Sequence, residues 1–165
     1  MEYIESNMDF SPLFEKNNSI YIEKSQIYKR LGEGIRSVEF ITLKPNKKLY
    51  FIEAKSSSAK PDNKVDFNDD CNKILEKIQH SLDLFISKEF EINKDLGNEF
   101  PICFNENNFN EYKIIFLLII NNHKEEWCSG VMAGLQNKLI ALRKIWKIDV
   151  VVWNNEKAVK KGFIK

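Results

Sequence analysis

Three ionisable residues hold the chemistry this sequence could do: Glu39, Glu53 and Lys55. They lie in the stretch Val38 to Lys55, VEFITLKPNKKLYFIEAK. Two runs rich in β-branched and aromatic residues, Val38–Leu43 and Leu49–Ala54, flank Lys44-Pro45-Asn46-Lys47-Lys48, which carries turn residues and charge. This pattern predicts a β-hairpin. If the hairpin is symmetric about Asn46, Glu39 faces Glu53 and Leu43 faces Leu49. Side chains alternate along a strand, so one face holds Glu39, Ile41, Leu43, Leu49, Phe51, Glu53 and Lys55, and the other holds Val38, Phe40, Thr42, Tyr50, Ile52 and Ala54. Both faces are mainly apolar, as in a hairpin covered on both sides.

Two cross-strand glutamates, roughly 5 Å apart at Cβ, repel. Charges on a half-buried face cost several kcal/mol unless they are paired or bind an ion. Lys55 can neutralise one carboxylate, and a divalent cation can take both as oxygen ligands. Charge placement alone is equally compatible with a salt-bridged strand end at the rim of a sheet.

An acid on one strand, a hairpin, then acid-x-Lys closing the next strand resembles the core of the PD-(D/E)XK nuclease superfamily. The matching residues are Glu39 and the Glu53-Ala54-Lys55 element, with Val38-Glu39 standing where the family usually has Asp, often after Pro. The resemblance implies that Glu39, Glu53 and the Ala54 carbonyl bind Mg²⁺ or Mn²⁺. It also implies that Lys55 orients or activates the attacking water and stabilises charge at the phosphate. The implied activity is hydrolysis of phosphodiester bonds, with Glu39, Glu53 and Lys55 as catalytic residues and DNA ahead of RNA as substrate. The alternative is a non-catalytic protein of the same restriction-endonuclease-like fold that binds a partner, in a bacterial defence or mobile-element system. A third reading is an unrelated α/β module whose Glu-Ala-Lys is structural.

The elements that must position these residues follow from periodicity. Residues 1–18 read as an irregular or loosely helical lead-in, with Met8, Phe10, Leu13 and Phe14 available to pack on a sheet and Glu2 or Glu5 as acids preceding the first strand. Ser19–Lys24 reads as a strand. Glu33 stands between Gly32 and Gly34 in a tight turn. It is a secondary site candidate, with a solvated turn as the plainer assignment. The polar loop Ser56–Lys64 follows the acid-bearing strand, and its Ser56, Lys60 and Lys64 can touch a phosphate backbone. Asp66 or Asn68 can cap a helix reaching Ser87. Its apolar stripe comprises Cys71, Ile74, Leu75, Ile78, Leu82, Phe85 and Ile86. Gln79 borders that stripe and is a further site candidate, while His80 points away from it.

Residues 88–111 read as a long polar excursion, with a short strand near Ile102–Phe104, serving as a mobile or partner-facing segment. Lys113–Ile120 has the unbroken apolar pattern of a central strand. A helix from Ser129 to Trp146, a strand Ile148–Trp153 and a basic tail complete the chain. The fold expected is α/β: a mixed central sheet whose hairpin carries the acids, with helices on its faces, in a single domain over residues 1–165.

Composition sets the outer limits. Of the 165 residues 43% are hydrophobic and 30% charged, the balance of a globular protein. The net charge of +1 lacks the basic excess of a protein that grips nucleic acid by charge alone. Cys71, Cys103 and Cys128 are odd in number and widely spaced, and with His80 and His123 as the only histidines they do not form a zinc pattern. Reduced thiols in a cytoplasmic protein fit this usage. The acidic N-terminus is not a signal peptide, and the apolar run Ile114–Ile120 is too short to span a bilayer, so no membrane association is expected.

Overall fold

The structure, a computed structural model, describes residues 2–165. The chain is α/β, built on a five-stranded mixed sheet. The strands are β3 (Ser19–Tyr21), β4 (Phe40–Lys44), β5 (Lys48–Lys55), β6 (Lys113–Ile120) and β7 (Asp149–Asn154), and they lie side by side in that order. β3, β4 and β5 pair antiparallel, whereas β5, β6 and β7 run parallel. The central position of β5 and β6 explains their nearly unbroken apolar sequences, because both faces of these strands are covered.

The β4–β5 hairpin has the register expected from symmetry about Asn46, with Leu43 opposite Leu49 and Phe40 opposite Ile52. Asn46 and Lys47 adopt positive φ at the turn. Asn tolerates that region, and the Lys47 carbonyl accepts the Lys113 N–H at 2.9 Å, holding the turn against the start of β6.

Helix α2 (Lys64–Glu89) makes the crossover from β5, and its N-cap is Asn63, whose side chain accepts from Asp66 N–H. Ile74, Ile78, Leu82 and Phe85 of α2 pack on Leu49, Phe51 and Phe116. The same face is completed by α4 (Glu125–Lys138), and α5 (Ile140–Trp146) follows it. Two glycines on α4 let neighbouring segments approach. A Cβ at Gly134 would lie 2.4 Å from the Phe67 ring of α2, and one at Gly130 would lie 3.2 Å from Pro61.

The opposite sheet face is covered differently. The N-terminal segment forms a small hairpin, β1 (Ile4–Glu5) with β2 (Met8–Asp9), then a 3-10 turn at Ser11–Leu13. Met8, Phe10 and Leu13 are buried there against Phe40 and Ile52. Phe163 and Ile164, beyond α6 (Asn155–Lys160), fill the rest. Ala158, Phe163 and Ile164 of the basic tail thus join the core, while Lys160, Lys161 and Lys165 stay exposed.

Other boundaries differ from the sequence expectation. β3 stops at Tyr21, and Ile22–Lys24 turns into 3-10 geometry before α1 (Gln26–Leu31). The 88–111 segment holds α3 (Lys94–Glu99) and 3-10 turns at Ile102–Asn105 and Phe109–Glu111, with no strand near Ile102–Phe104. Phe100, Phe104 and Tyr112 cluster on Phe85, so the aromatic residues of this polar stretch anchor it. The helix expected at 129–146 starts four residues earlier and breaks at Leu139, and Ser129 lies inside it with its hydroxyl on the Glu126 carbonyl. Val38 joins the α2-side core together with Ile41, despite its opposite parity, because the ladder begins only at Phe40. Among the described residues no helix is long and apolar enough to cross a membrane.

Candidate functional site

Glu39 precedes the first paired residue of β4, and Glu53 lies near the end of β5; each is only 5% exposed. The sheet ends unevenly here. Ala54, on β5, has no β4 residue to pair with, and side chains complete its ladder. Its N–H donates to Glu39 Oε2 at 2.7 Å, and its carbonyl accepts from the Ser6 hydroxyl at 3.2 Å. Ser6 and Asn7 form the turn of the N-terminal hairpin with positive φ at both positions. Asn121, just past β6, fixes that turn by donating to the Ser6 carbonyl at 2.9 Å.

The cation between the glutamates is Lys77 of α2, a residue that the sequence reading did not single out. Its Nζ lies 2.8 Å from Glu53 Oε1, 3.0 Å from Glu53 Oε2 and 3.3 Å from Glu39 Oε1. Glu23, carried inward by the 3-10 turn that ends β3, adds a third carboxylate at 3.6 Å. Lys55 is paired instead with Asp70 of α2 at 2.9 Å, and Asp70 also accepts the Ala59 N–H at 3.1 Å.

Helix α2 therefore presents a polar line toward the strand ends. Asp70 takes Lys55 and Lys77 takes the glutamates. Ser81 accepts the Val38 N–H at 2.9 Å while donating to the Lys77 carbonyl at 2.7 Å. The spacing of seven and four residues puts all three on one helix face.

Electrostatics follow from this crowding. Burial, followed by the charge of Glu39, pushes the Glu53 carboxyl well above the ordinary range, against the pull of Lys77. Burial also raises Glu39, opposed by Lys77 and the Ala54 N–H. Glu5 is raised by burial and by Glu23. Burial works to lower Lys77, but Glu53 and Glu39 more than reverse it, so the ammonium is held upward and stays charged. At Asp70 burial pushes upward, while the Lys55 and Ala59 hydrogen bonds hold it below the usual carboxylate range. Four glutamates thus act on one fixed ammonium, and the site favours additional positive charge or a proton.

The remaining sequence candidates lie outside this cluster. Glu33 is exposed in its glycine-flanked turn, Gln79 is exposed on α2, and Ser56 is exposed at the start of the loop. Glu2 is exposed as well. Lys60 sits 4.7 Å from the centre of the Trp127 ring. His80, partly exposed on α2, accepts the Arg36 N–H on its Nδ1 at 3.1 Å.

A hard divalent cation fits the donor set in chemistry: two buried carboxylates that share a single ammonium, and a carbonyl with a second lone pair beyond the one serving Ser6. Among the described residues no group of three or more His, Cys, Asp or Glu side chains is arranged to hold a metal ion, so the set would be two carboxylates and one backbone oxygen. Comparison of the chain with models of known families, with curated proteins and with solved structures finds no match.

Proposed function

We propose that the protein is a Mg²⁺- or Mn²⁺-dependent phosphodiesterase of PD-(D/E)XK type, with a restriction-endonuclease-like core, acting on nucleic acid with DNA ahead of RNA. The observation that carries this reading is the buried Glu39–Glu53 pair, raised in pKa, beside the Glu53-Ala54-Lys55 end of β5. The antiparallel hairpin leading through a helical crossover into a parallel strand supports it. A cytoplasmic setting, with its cysteines as thiols, goes with it.

Glu39, Glu53 and the Ala54 carbonyl would hold the metal, which supplies a Lewis acid for the phosphate and a more acidic water. The chain's own groups do the rest. Ser6 and Asn121 fix the strand end that carries the carbonyl. Lys77 keeps its proton and balances charge between the acids, so it acts as a fixed cation and not as a base. Lys55, half-buried beside Asp70, offers the ammonium that stabilises charge developing on the phosphate.

One observation favours a second reading. The Lys77 ammonium already satisfies both glutamates within the chain, as in a structural ion cluster of a non-catalytic partner-binding protein. The deciding assay incubates the protein with Mg²⁺ or Mn²⁺ on linear, supercoiled and single-stranded DNA and on RNA, with Lys55→Ala alongside. Cleavage by the parent that falls about 10²-fold or more in the variant supports the enzyme. Undiminished cleavage by the variant indicates a contaminating nuclease. No cleavage on any substrate, with a melting temperature indifferent to millimolar metal, favours the structural cluster.

A further inference from the structure

Beyond the paired ends of β5 and β6, at Lys55 and Ile120, the two departing loops meet in a cleft. Its centre is Trp127 on the first turn of α4, 37% exposed. Two ammonium groups approach the indole, Lys60 Nζ at 4.7 Å and Lys124 Nζ at 5.1 Å from the ring centre. The His123 ring meets Trp127 edge-on at 5.3 Å. Asp62 and Glu126 also line the cleft. Its volume of about 310 Å³ lies at the small end of ligand pockets. The wall is closely packed, because a Cβ at Gly130 would lie only 3.2 Å from the Pro61 ring.

A second observation points to a ligand. His123 is nine-tenths buried and lines this cleft, and its Nε2 has no hydrogen-bond partner among the described residues. An unpaired buried ring nitrogen is costly, and a partner reaching it would relieve that cost. An exposed indole and two cations on flexible stems together offer a stacking platform and phosphate contacts. The two carboxylates can accept from an exocyclic amino group, and they disfavour a bare phosphate as the ligand.

We propose that this cleft is a stacking subsite for one unpaired base of a nucleic-acid strand, with Trp127 as platform and Lys60 and Lys124 reaching the adjoining phosphates. A base in duplex is stacked on both sides and cannot lie on the indole, so the subsite selects single-stranded or frayed ends. The assignment rests on the phosphodiesterase reading for the strand's path toward Glu39 and Glu53. Binding itself requires neither metal nor cleavage.

The test is intrinsic fluorescence of the full chain in EDTA, titrated with a single-stranded DNA 10-mer, its duplex and deoxyadenosine monophosphate. The single strand should quench emission and bind about tenfold or more tighter than the duplex, as one stacked base requires. Trp127→Leu should lose the quench and about tenfold in affinity, and Trp127→Phe should lose less. Lys60→Ala and Lys124→Ala should each flatten the salt dependence by about 0.7 in slope. Equal binding of duplex and single strand, or a quench and an affinity unchanged in both Trp127 variants, overturns the proposal. A mononucleotide bound as tightly as the strand overturns the strand assignment in favour of a free-nucleotide pocket. The two readings fail separately: strand binding through Trp127 with no cleavage in Mg²⁺ removes the enzyme and keeps the subsite. Cleavage with strand binding indifferent to Trp127 does the reverse.

Discussion

Glu39 Oε2 accepts the Ala54 N–H at 2.7 Å, so a side chain on one strand completes the backbone ladder of the next. The carboxylate that the sequence offers as a metal ligand thus has a structural task in addition. Substitutions separate the two tasks. Glu39→Gln keeps an acceptor for Ala54, whereas Glu39→Ala leaves a buried N–H unpaired at about 1–3 kcal/mol. The alanine variant should melt several degrees below the glutamine variant, at about 2–4 °C per kcal/mol for this length. Equal melting temperatures would show that the hydrogen bond contributes nothing. Under the proposed function both variants lose cleavage.

Lys77→Ala removes the shared cation of the cluster. Breaking a buried pair costs about 3–5 kcal/mol, and the 23% exposure of the Lys77 side chain makes that an upper bound. The loss should shrink toward pH 5 as the glutamates take up protons. If divalent metal and ammonium compete for the same oxygens, millimolar Mg²⁺ should raise the melting temperature of the variant more than that of the parent. Identical metal responses in differential scanning calorimetry would count against metal binding at Glu39 and Glu53.

Glu53 has a folded-state pKa raised well above its ordinary 4.5. Its contribution to stability is full below about 4.5 and is lost as pH rises through the folded value. Glu53→Gln imitates the protonated form. It should therefore melt higher than the parent at pH 8, by about 2–4 °C for each kcal/mol relieved, with the difference narrowing as pH falls toward 4.5. A variant less stable than the parent at pH 8 would show that pairing with Lys77 outweighs burial and the repulsion of Glu39.

Gly134→Ala tests the contact between α2 and α4. Helix propensity alone favours alanine by about 1 kcal/mol. A methyl 2.4 Å from the Phe67 ring forces repacking, at about 1–3 kcal/mol. Net destabilisation is expected, and Gly134→Ala combined with Phe67→Leu should recover part of it. A stabilised single variant would show that Phe67 moves aside freely.

The hairpin, its register and the shared face of Glu39 and Glu53 were legible because strand parity and turn chemistry are local. β6 was legible to the residue for a similar reason, since only a strand covered on both faces has such a run. Lys77 was not. Its partner depends on how α2 is rotated over the sheet, and in the sequence it is one more charged residue beside an apolar stripe. The recurrence of Asp70, Lys77 and Ser81 on one helix face was the available signal. The pairing of Lys55 with Asp70 was hidden for the same reason. Glu23 falls within the strand expected at Ser19–Lys24, and the 3-10 turn that replaces the end of that strand carries it toward Lys77. Trp127 and His123 lay in a segment read as preceding the helix, so their cleft had no element to sit on.

The order in which the cluster's parts are joined in the chain has a kinetic consequence. The glutamates meet as soon as the short β4–β5 turn closes, a microsecond event in isolated hairpins. The ammonium arrives only when the helix spanning Lys64–Glu89 docks. Nascent chains therefore bring two like charges together before their counter-charge is in place. Lowering the pH, which favours their protonated forms, should speed refolding while leaving the unfolding rate nearly unchanged. A chevron recorded at pH 5.5 and pH 8 would show this as displacement of its folding arm alone, and displacement of the unfolding arm instead would mean that α2 docks before the hairpin closes.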